Sequence, residues 1–171
     1  AQIKLQADGL NLADTFAFTG TVTGAGGGKI GQVLNAQYGT ETTTTGTSYV
    51  TSGLNLAITP TATSSKVLII LNLACNVAET SDGNIGMFWR LYNTTASSVI
   101  YDSTGTGYGS FLRGYDGYNE LAWMNAITYL YSPSTTSALT VQAQFKAETS
   151  GTAVGVQREL DSQLTLMEVL A

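Results

Sequence analysis

The carboxylates of Asp82, Asp102, Asp116, Glu120, Glu148, Glu159, Asp161 and Glu168 are the side chains of this sequence from which catalysis could be built. Two carboxylates flanking a glycosidic bond, one of them with a raised pKa, would suffice to cleave a polysaccharide. These residues are scattered singly among turns, with no paired motif, so solvated or hydrogen-bonded loop roles are expected of them. Glu168 stands apart because it shares a face with Leu164, Leu166 and Leu170. A structural pairing with Arg158, Lys66 or a neighbour's charge is expected there. Histidine is absent, which removes the commonest general base and transition-metal ligand. Cys75 is the only cysteine, and its place in an apolar alternation marks a small core residue rather than a nucleophile. Calcium needs only oxygen ligands, yet Ser81-Asp82-Gly83-Asn84 and Asp116-Gly117-Tyr118-Asn119 are ordinary turn sequences. Gly24 to Gly28 lacks the Lys-Ser/Thr pair of a phosphate loop. No catalytic residue, no cofactor and no metal site is expected, and the chain is not read as an enzyme.

Binding has better candidates. Residues 102 to 118 hold five glycines outside any clean period. In and beside that irregular segment, Tyr108, Phe111, Tyr115 and Tyr118 offer flat rings that stack on sugars, while Arg113, Asp116 and Asn119 offer hydrogen bonds. The competing role for these seven residues is packing over a sheet edge or between protomers.

The elements that must position such residues follow from composition and period. At 171 residues the chain has the size of one domain. Charged residues make up only 11% of it, so Thr, Ser, Asn, Gln and Gly must build the polar surface. The net charge of −5 leaves no basic footprint for a nucleic acid. The longest apolar run, Val67 to Leu71, is far too short to cross a bilayer, so membrane insertion is not expected. The chain opens without methionine, which reads as the cut end of something longer rather than a processed terminus.

From Lys29 onward apolar residues recur with period two, the signature of strands, and no long stretch keeps the helical period. The first strand places Ile30, Leu34, Ala36 and Tyr38 on one side; after a Thr-rich turn from Glu41 to Gly46, the next does so with Val50, Leu54, Leu56 and Ile58. Pro60 ends it. Lys66 to Val77 carries Val67, Ile69, Leu71, Leu73, Cys75 and Val77 on one face and Leu68 and Ile70 on the other, so its first half is expected to be buried on both sides. Ile85, Met87, Trp89 and Leu91 oppose Phe88, Arg90 and Tyr92. Glu120 to Tyr131 has Leu121, Trp123, Ile127 and Tyr129 on one face and Ala122, Met124, Ala126 and Leu130 on the other, and the second apolar face implies a protein cover. Leu139 to Ala147 alternates strictly with Thr140, Gln142, Gln144 and Lys146, as a strand between core and water does. Leu160, Leu164, Leu166 and Leu170 close the chain on one face. An all-β fold follows: an antiparallel β-sandwich of eight to ten strands, jelly-roll-like, spanning residues 29–171. Residues 1–28, with Leu10, Leu12, Phe16 and Phe18 before a glycine run, are read as an attachment segment and flexible linker.

Leu10-Asn11-Leu12-Ala13-Asp14-Thr15-Phe16-Ala17-Phe18-Thr19-Gly20-Thr21-Val22-Thr23-Gly24-Ala25-Gly26 resembles the linker of fibre and virion structural proteins of aquatic, cyanophage-like phages. The resemblance continues through Gly28-Lys29-Ile30, Ser48-Tyr49-Val50, Leu54 to Pro60, Thr63 to Leu68, Ser132 to Ser137 and Leu164 to Val169, and so covers most of the chain. It implies a structural component of a phage virion: a homotrimeric tail-fibre domain with a jelly-roll outer part. It also implies contacts to other virion proteins through residues 1–28 and to a host-surface glycan or protein receptor. A head-decoration or collar subunit is the alternative, and a polysaccharide-degrading fibre the more distant one. The stretch Glu79 to Asn119 shares no motif with these proteins, and the host-facing surface is expected there.

Overall fold

The computed structural model describes residues 29–78, 86–106 and 120–170. Among them ten strands form in chain order: β1 (Ile30–Tyr38), β2 (Thr42–Thr44), β3 (Val50–Ile58), β4 (Lys66–Ala78), β5 (Met87–Asn93), β6 (Ser98–Asp102), β7 (Glu120–Tyr131), β8 (Leu139–Ala147), β9 (Ala153–Val156) and β10 (Ser162–Val169). A single 3-10 turn, Ser103–Thr106, follows β6. Every pairing is antiparallel.

Setting aside the short β2 and β9, the other eight strands pair in a nested order. First meets last (β1 with β10), second meets seventh (β3 with β8), third meets sixth (β4 with β7) and fourth meets fifth (β5 with β6). A long antiparallel ribbon rolled around itself gives this nesting, and it distributes the strands into sheets β1-β10-β4-β7 and β3-β8-β5-β6. The fold is therefore an antiparallel β-sandwich with jelly-roll order. β9 continues the side of β4 that β10 leaves, pairing Cys75 to Ala78 where β10 pairs Lys66 to Asn72, and carries β2 beyond it.

Alternation decides what lies between the sheets. Val67, Ile69, Leu71 and Leu73 of β4, Met87 and Leu91 of β5, Val141, Ala143 and Phe145 of β8 and Leu164 and Leu166 of β10 are fully buried in one core. Burying each of these side chains other than Ala143 contributes about 1.5–3 kcal/mol relative to leaving it in water. β8 shows the alternation expected of it, core on one face and water on the other. Cys75 also lies in this core, where burial pushes its thiol up to about 12 despite the Asn125 amide donating to Sγ at 3.2 Å. A thiol in that state is not a nucleophile at neutral pH.

Four expectations are corrected. Between Ile30 and Val33, β1 spends one residue more than β10, and this bulge turns Ile30 away from the face of Leu34, Ala36 and Tyr38 into solvent. The Thr-rich turn contains a strand, β2, which closes on β9. Leu160 precedes β10 and is 61% exposed, whereas Leu164 and Leu166 are buried. The first half of β4 is not closed on both sides: Leu68 and Ile70 are half-buried on the outer face, beside the exposed Leu130 of β7. Ile85, like the expectations for residues 1–28, lies outside the described residues.

A second irregularity sits in β3, where two extra residues separate Thr51 from Asn55 opposite Gln144 and Gln142. Gly53 absorbs it with φ +83°, and a Cβ there would meet the Tyr38 ring at 2.3–2.8 Å. Local bonds hold the loop: the Ser52 hydroxyl donates to the Ala143 carbonyl at 2.8 Å, and the Leu54 N–H donates back to Ser52 Oγ at 3.2 Å. Gly53→Ala is expected to lower stability by about 2 kcal/mol, from left-handed strain plus the displaced ring. Urea unfolding checks this through a lower midpoint at unchanged slope.

Candidate functional site

The outward face of the β3-β8-β5-β6 sheet brings three aromatic rings and two cations together. Register aligns them: Phe88 of β5 lies opposite Lys146 of β8, Arg90 opposite Gln144, and Tyr92 opposite Gln142. Thr51 of β3 continues the Arg90 row on one side and Asp102 of β6 on the other. Tyr49 precedes β3, and its ring covers both cations. The Arg90 guanidinium sits 4.1 Å from the Tyr49 ring centroid and 4.6 Å from that of Tyr92, while Lys146 Nζ sits 4.7 Å from Tyr49 and 5.5 Å from Phe88. Each cation–π contact stabilises the arrangement by roughly 0.5–2 kcal/mol.

Hydrogen bonds fix the ring positions. Tyr49 Oη donates to Asp102 Oδ1 at 2.7 Å, and the same oxygen accepts from the N–H and hydroxyl of Thr104 at 2.8 and 2.7 Å. Burial alone would raise the Asp102 carboxyl, but the Thr104 and Tyr49 bonds and the nearby Lys146 charge hold it below the usual carboxylate range. Burial and the Asp102 bond in turn push the Tyr49 phenol far above its ordinary value. Arg90 Nε donates to Gln144 Oε1 at 2.7 Å, and Gln144 Nε2 donates to Gln142 Oε1 at 2.8 Å. The result is a half-exposed surface of three rings, two cations and an ordered amide chain.

The chemistry of this surface is that of contact groups. Its carboxylate is ionised and already accepts three hydrogen bonds, so it has no proton to deliver as a general acid. Flat rings, oriented amides and cations are the groups that hold a pyranose ring and an attached acidic substituent.

The seven residues singled out from sequence, Tyr108, Phe111, Arg113, Tyr115, Asp116, Tyr118 and Asn119, lie outside the described residues, as do Asp82 and the two calcium-like turns. Of the described carboxylates singled out from sequence, Asp102 ends β6, Glu148 follows β8, Glu159 and Asp161 precede β10, and Glu168 lies within it. Among the described residues no group of three or more His, Cys, Asp or Glu is placed to hold a metal ion. Glu168 takes neither Arg158 nor Lys66 as its partner in the way expected. Its carboxylate is buried and accepts from Gln32 Nε2 at 2.8 Å and from the N–H and hydroxyl of Thr61 at 2.6 and 2.8 Å. Neutral donors suffice because a carboxylate with several hydrogen bonds is stabilised without a counter-charge.

Sequence reading passed over the β5 and β8 surface because neither strand carries it alone. The signal was present as Phe88-x-Arg90-x-Tyr92 and Gln142-x-Gln144-x-Lys146, two outward faces that acquire meaning only once they are paired in register.

No protein-family model and no curated protein matches the chain. Among solved structures it is similar to the structure of infectious bursal disease virus, Gx strain, at 11% identity and a TM-score of 0.42. It is also similar to the infectious bursal disease virus VP2 subviral particle, at 12% identity and a TM-score of 0.39. Each alignment covers 82% of this chain and 37% of the other, so the chain spans little more than a third of the length of those proteins.

Proposed function

We propose that this chain is a structural domain of a phage particle, of the tail-fibre kind, which assembles as a homotrimer and touches an acidic glycan of the host surface. The observation that carries the contact is the Tyr49, Phe88, Arg90, Tyr92 and Lys146 surface, two cations held between rings on a protein whose net charge is −5. A patch of that sign selects anionic ligands against the chain's own acidity. The resemblance of its linker and strand motifs to virion proteins supports the location in the particle, and a surface poor in Lys and Glu suits an exposed, protease-resistant role. Threefold repetition converts weak sugar contacts into avidity.

The test is binding of the full chain to a panel of neutral and acidic host polysaccharides by calorimetry, with light scattering for its mass. Acidic glycans are expected to bind, and Tyr92→Ala and Arg90→Ala are each expected to weaken binding by about tenfold, close to 1.4 kcal/mol. Equal affinity in the variants, or preference for neutral glycans, removes this surface as the contact. Release of oligosaccharides would favour a degrading enzyme, and a monomeric mass would favour the head-decoration or collar alternative.

A further inference from the structure

Along β8 the outward face of the β3-β8-β5-β6 sheet changes character. At Lys146 and Gln144 its rows include Phe88, Arg90 and Asp102, and so carry charge. The next row in register is Asn55, Gln142, Tyr92 and Val99, and the one beyond it opens with Ala57 and Thr140. None of these six residues is charged. Asn55, Ala57 and Val99 are exposed, and Gln142, Tyr92 and Thr140 half-buried, so the uncharged rows are open to a ligand. Rows on one face of a sheet are about 6.8 Å apart, twice the rise per residue. A chain molecule seated at Arg90 therefore places its next unit on Gln142.

Arg90 also decides which atom each amide presents. A guanidinium can only donate, so the Gln144 atom that meets Arg90 Nε at 2.7 Å is Oε1, and Nε2 is the atom turned to Gln142. That group donates to Gln142 Oε1 at 2.8 Å. Gln142 Nε2 is then the outer end of the chain, a donor engaged by no described residue. Asn55, directly opposite Gln142, is fixed in the other sense. Its Nδ2 donates to the Gly53 carbonyl at 3.0 Å, which can only accept, and Oδ1 is left as an acceptor. A donor and an acceptor thus stand side by side in one uncharged row, next to the Tyr92 ring. A carboxylate satisfies only the donor and an ammonium only the acceptor, whereas sugar hydroxyls both accept and donate. Tyr92 and Val99 supply an apolar floor for the C–H face of such a ring.

We infer, resting on the acidic-glycan contact already proposed, that the ligand is a linear heteropolymer in which an acidic unit adjoins an uncharged, hydroxylated one. The acidic unit sits at Arg90 and Lys146, the uncharged unit on Asn55, Gln142 and Tyr92, and the chain runs along β8 towards Thr140.

Calorimetry of the full chain with three oligosaccharides of equal length tests this. Hyaluronan alternates a uronate with an uncharged N-acetylhexosamine, oligogalacturonate is acidic at every unit, and a cello-oligosaccharide is uncharged throughout. Hyaluronan is expected to bind about fivefold more tightly than oligogalacturonate despite its lower charge, with the cello-oligosaccharide weakest. Asn55→Ala removes the acceptor and Gln142→Ala the donor, and each is expected to reduce that preference by roughly three- to tenfold. Arg90→Ala is expected to weaken both acidic probes together. Tighter binding of oligogalacturonate, or a preference unchanged in Asn55→Ala and Gln142→Ala, overturns the uncharged unit while the contact at Arg90 stands. Failure of both acidic probes to bind, or equal affinities in Arg90→Ala, overturns the contact itself and the uncharged unit with it.

Discussion

Phe145→Ala is expected to cost about 3–5 kcal/mol and to lower the melting temperature by roughly 10–15 °C. Phe145 is completely buried at the middle of the β3-β8-β5-β6 sheet, opposite Val50 on one side and Trp89 on the other. Trp89 stacks on Tyr101 with ring centroids 5.4 Å apart, and Tyr101 meets Tyr129 of the facing sheet at 5.6 Å. Removing the Phe145 ring therefore opens a cavity beside the aromatic chain that joins the two sheets, and close-packed neighbours refill it only in part. Phe145→Leu keeps most of the volume and is expected to lose well under half as much. Tyr92→Ala, on the outward side of the same sheet, should shift the melting temperature little while weakening glycan binding. Calorimetric melting of the three variants separates the faces, and a Phe145→Ala protein that melted with the wild type would show that this core is not what holds the sheets together.

The strands were legible because their apolar residues alternate over long runs. β4 and β8 are the clearest cases, since Val67 to Val77 and Leu139 to Ala147 keep period two without interruption. Sequence reading failed where an extra residue reverses the alternation. At Ile30 the bulge opposite Val169 moves an apolar side chain outward, and nothing in Ile30-Gly31-Gln32-Val33 marks the position of that bulge. It failed again where meaning depends on pairing. Arg90 and Lys146 are separated by more than fifty residues, and only the antiparallel register of β5 on β8 puts both against Tyr49. Glu168 was recognised as a carboxylate on an apolar face, but its partners come from the loop after β3 and from β1, distant contacts that charge alone could not select.

Those contacts make Glu168 a latch, and Glu168→Gln is expected to lower the melting temperature at neutral pH by about 5–10 °C. One oxygen holds Thr61, just after the crossover leaves β3, and the other holds Gln32 of β1, whose amide also donates to the Thr59 carbonyl at 2.8 Å. A glutamine would offer one acceptor and turn an N–H group towards donors that need an oxygen. The Gln32 bond, with the Thr61 and Ser65 groups, lowers the carboxyl from 4.5 to about 2 against the opposing effect of burial. The folded protein therefore takes up this proton less readily than the unfolded chain does. The stability that Glu168 contributes is complete above the ordinary value of 4.5 and is lost as the pH falls towards about 2. The gap in melting temperature between wild type and Glu168→Gln should be widest at neutral pH and close progressively below about pH 5, because the variant has no proton to gain. Thermal melts of both proteins across that range decide the matter. A gap that stayed constant down to about pH 2 would mean that the variant is destabilised by altered packing and that the ionised carboxylate contributes nothing of its own.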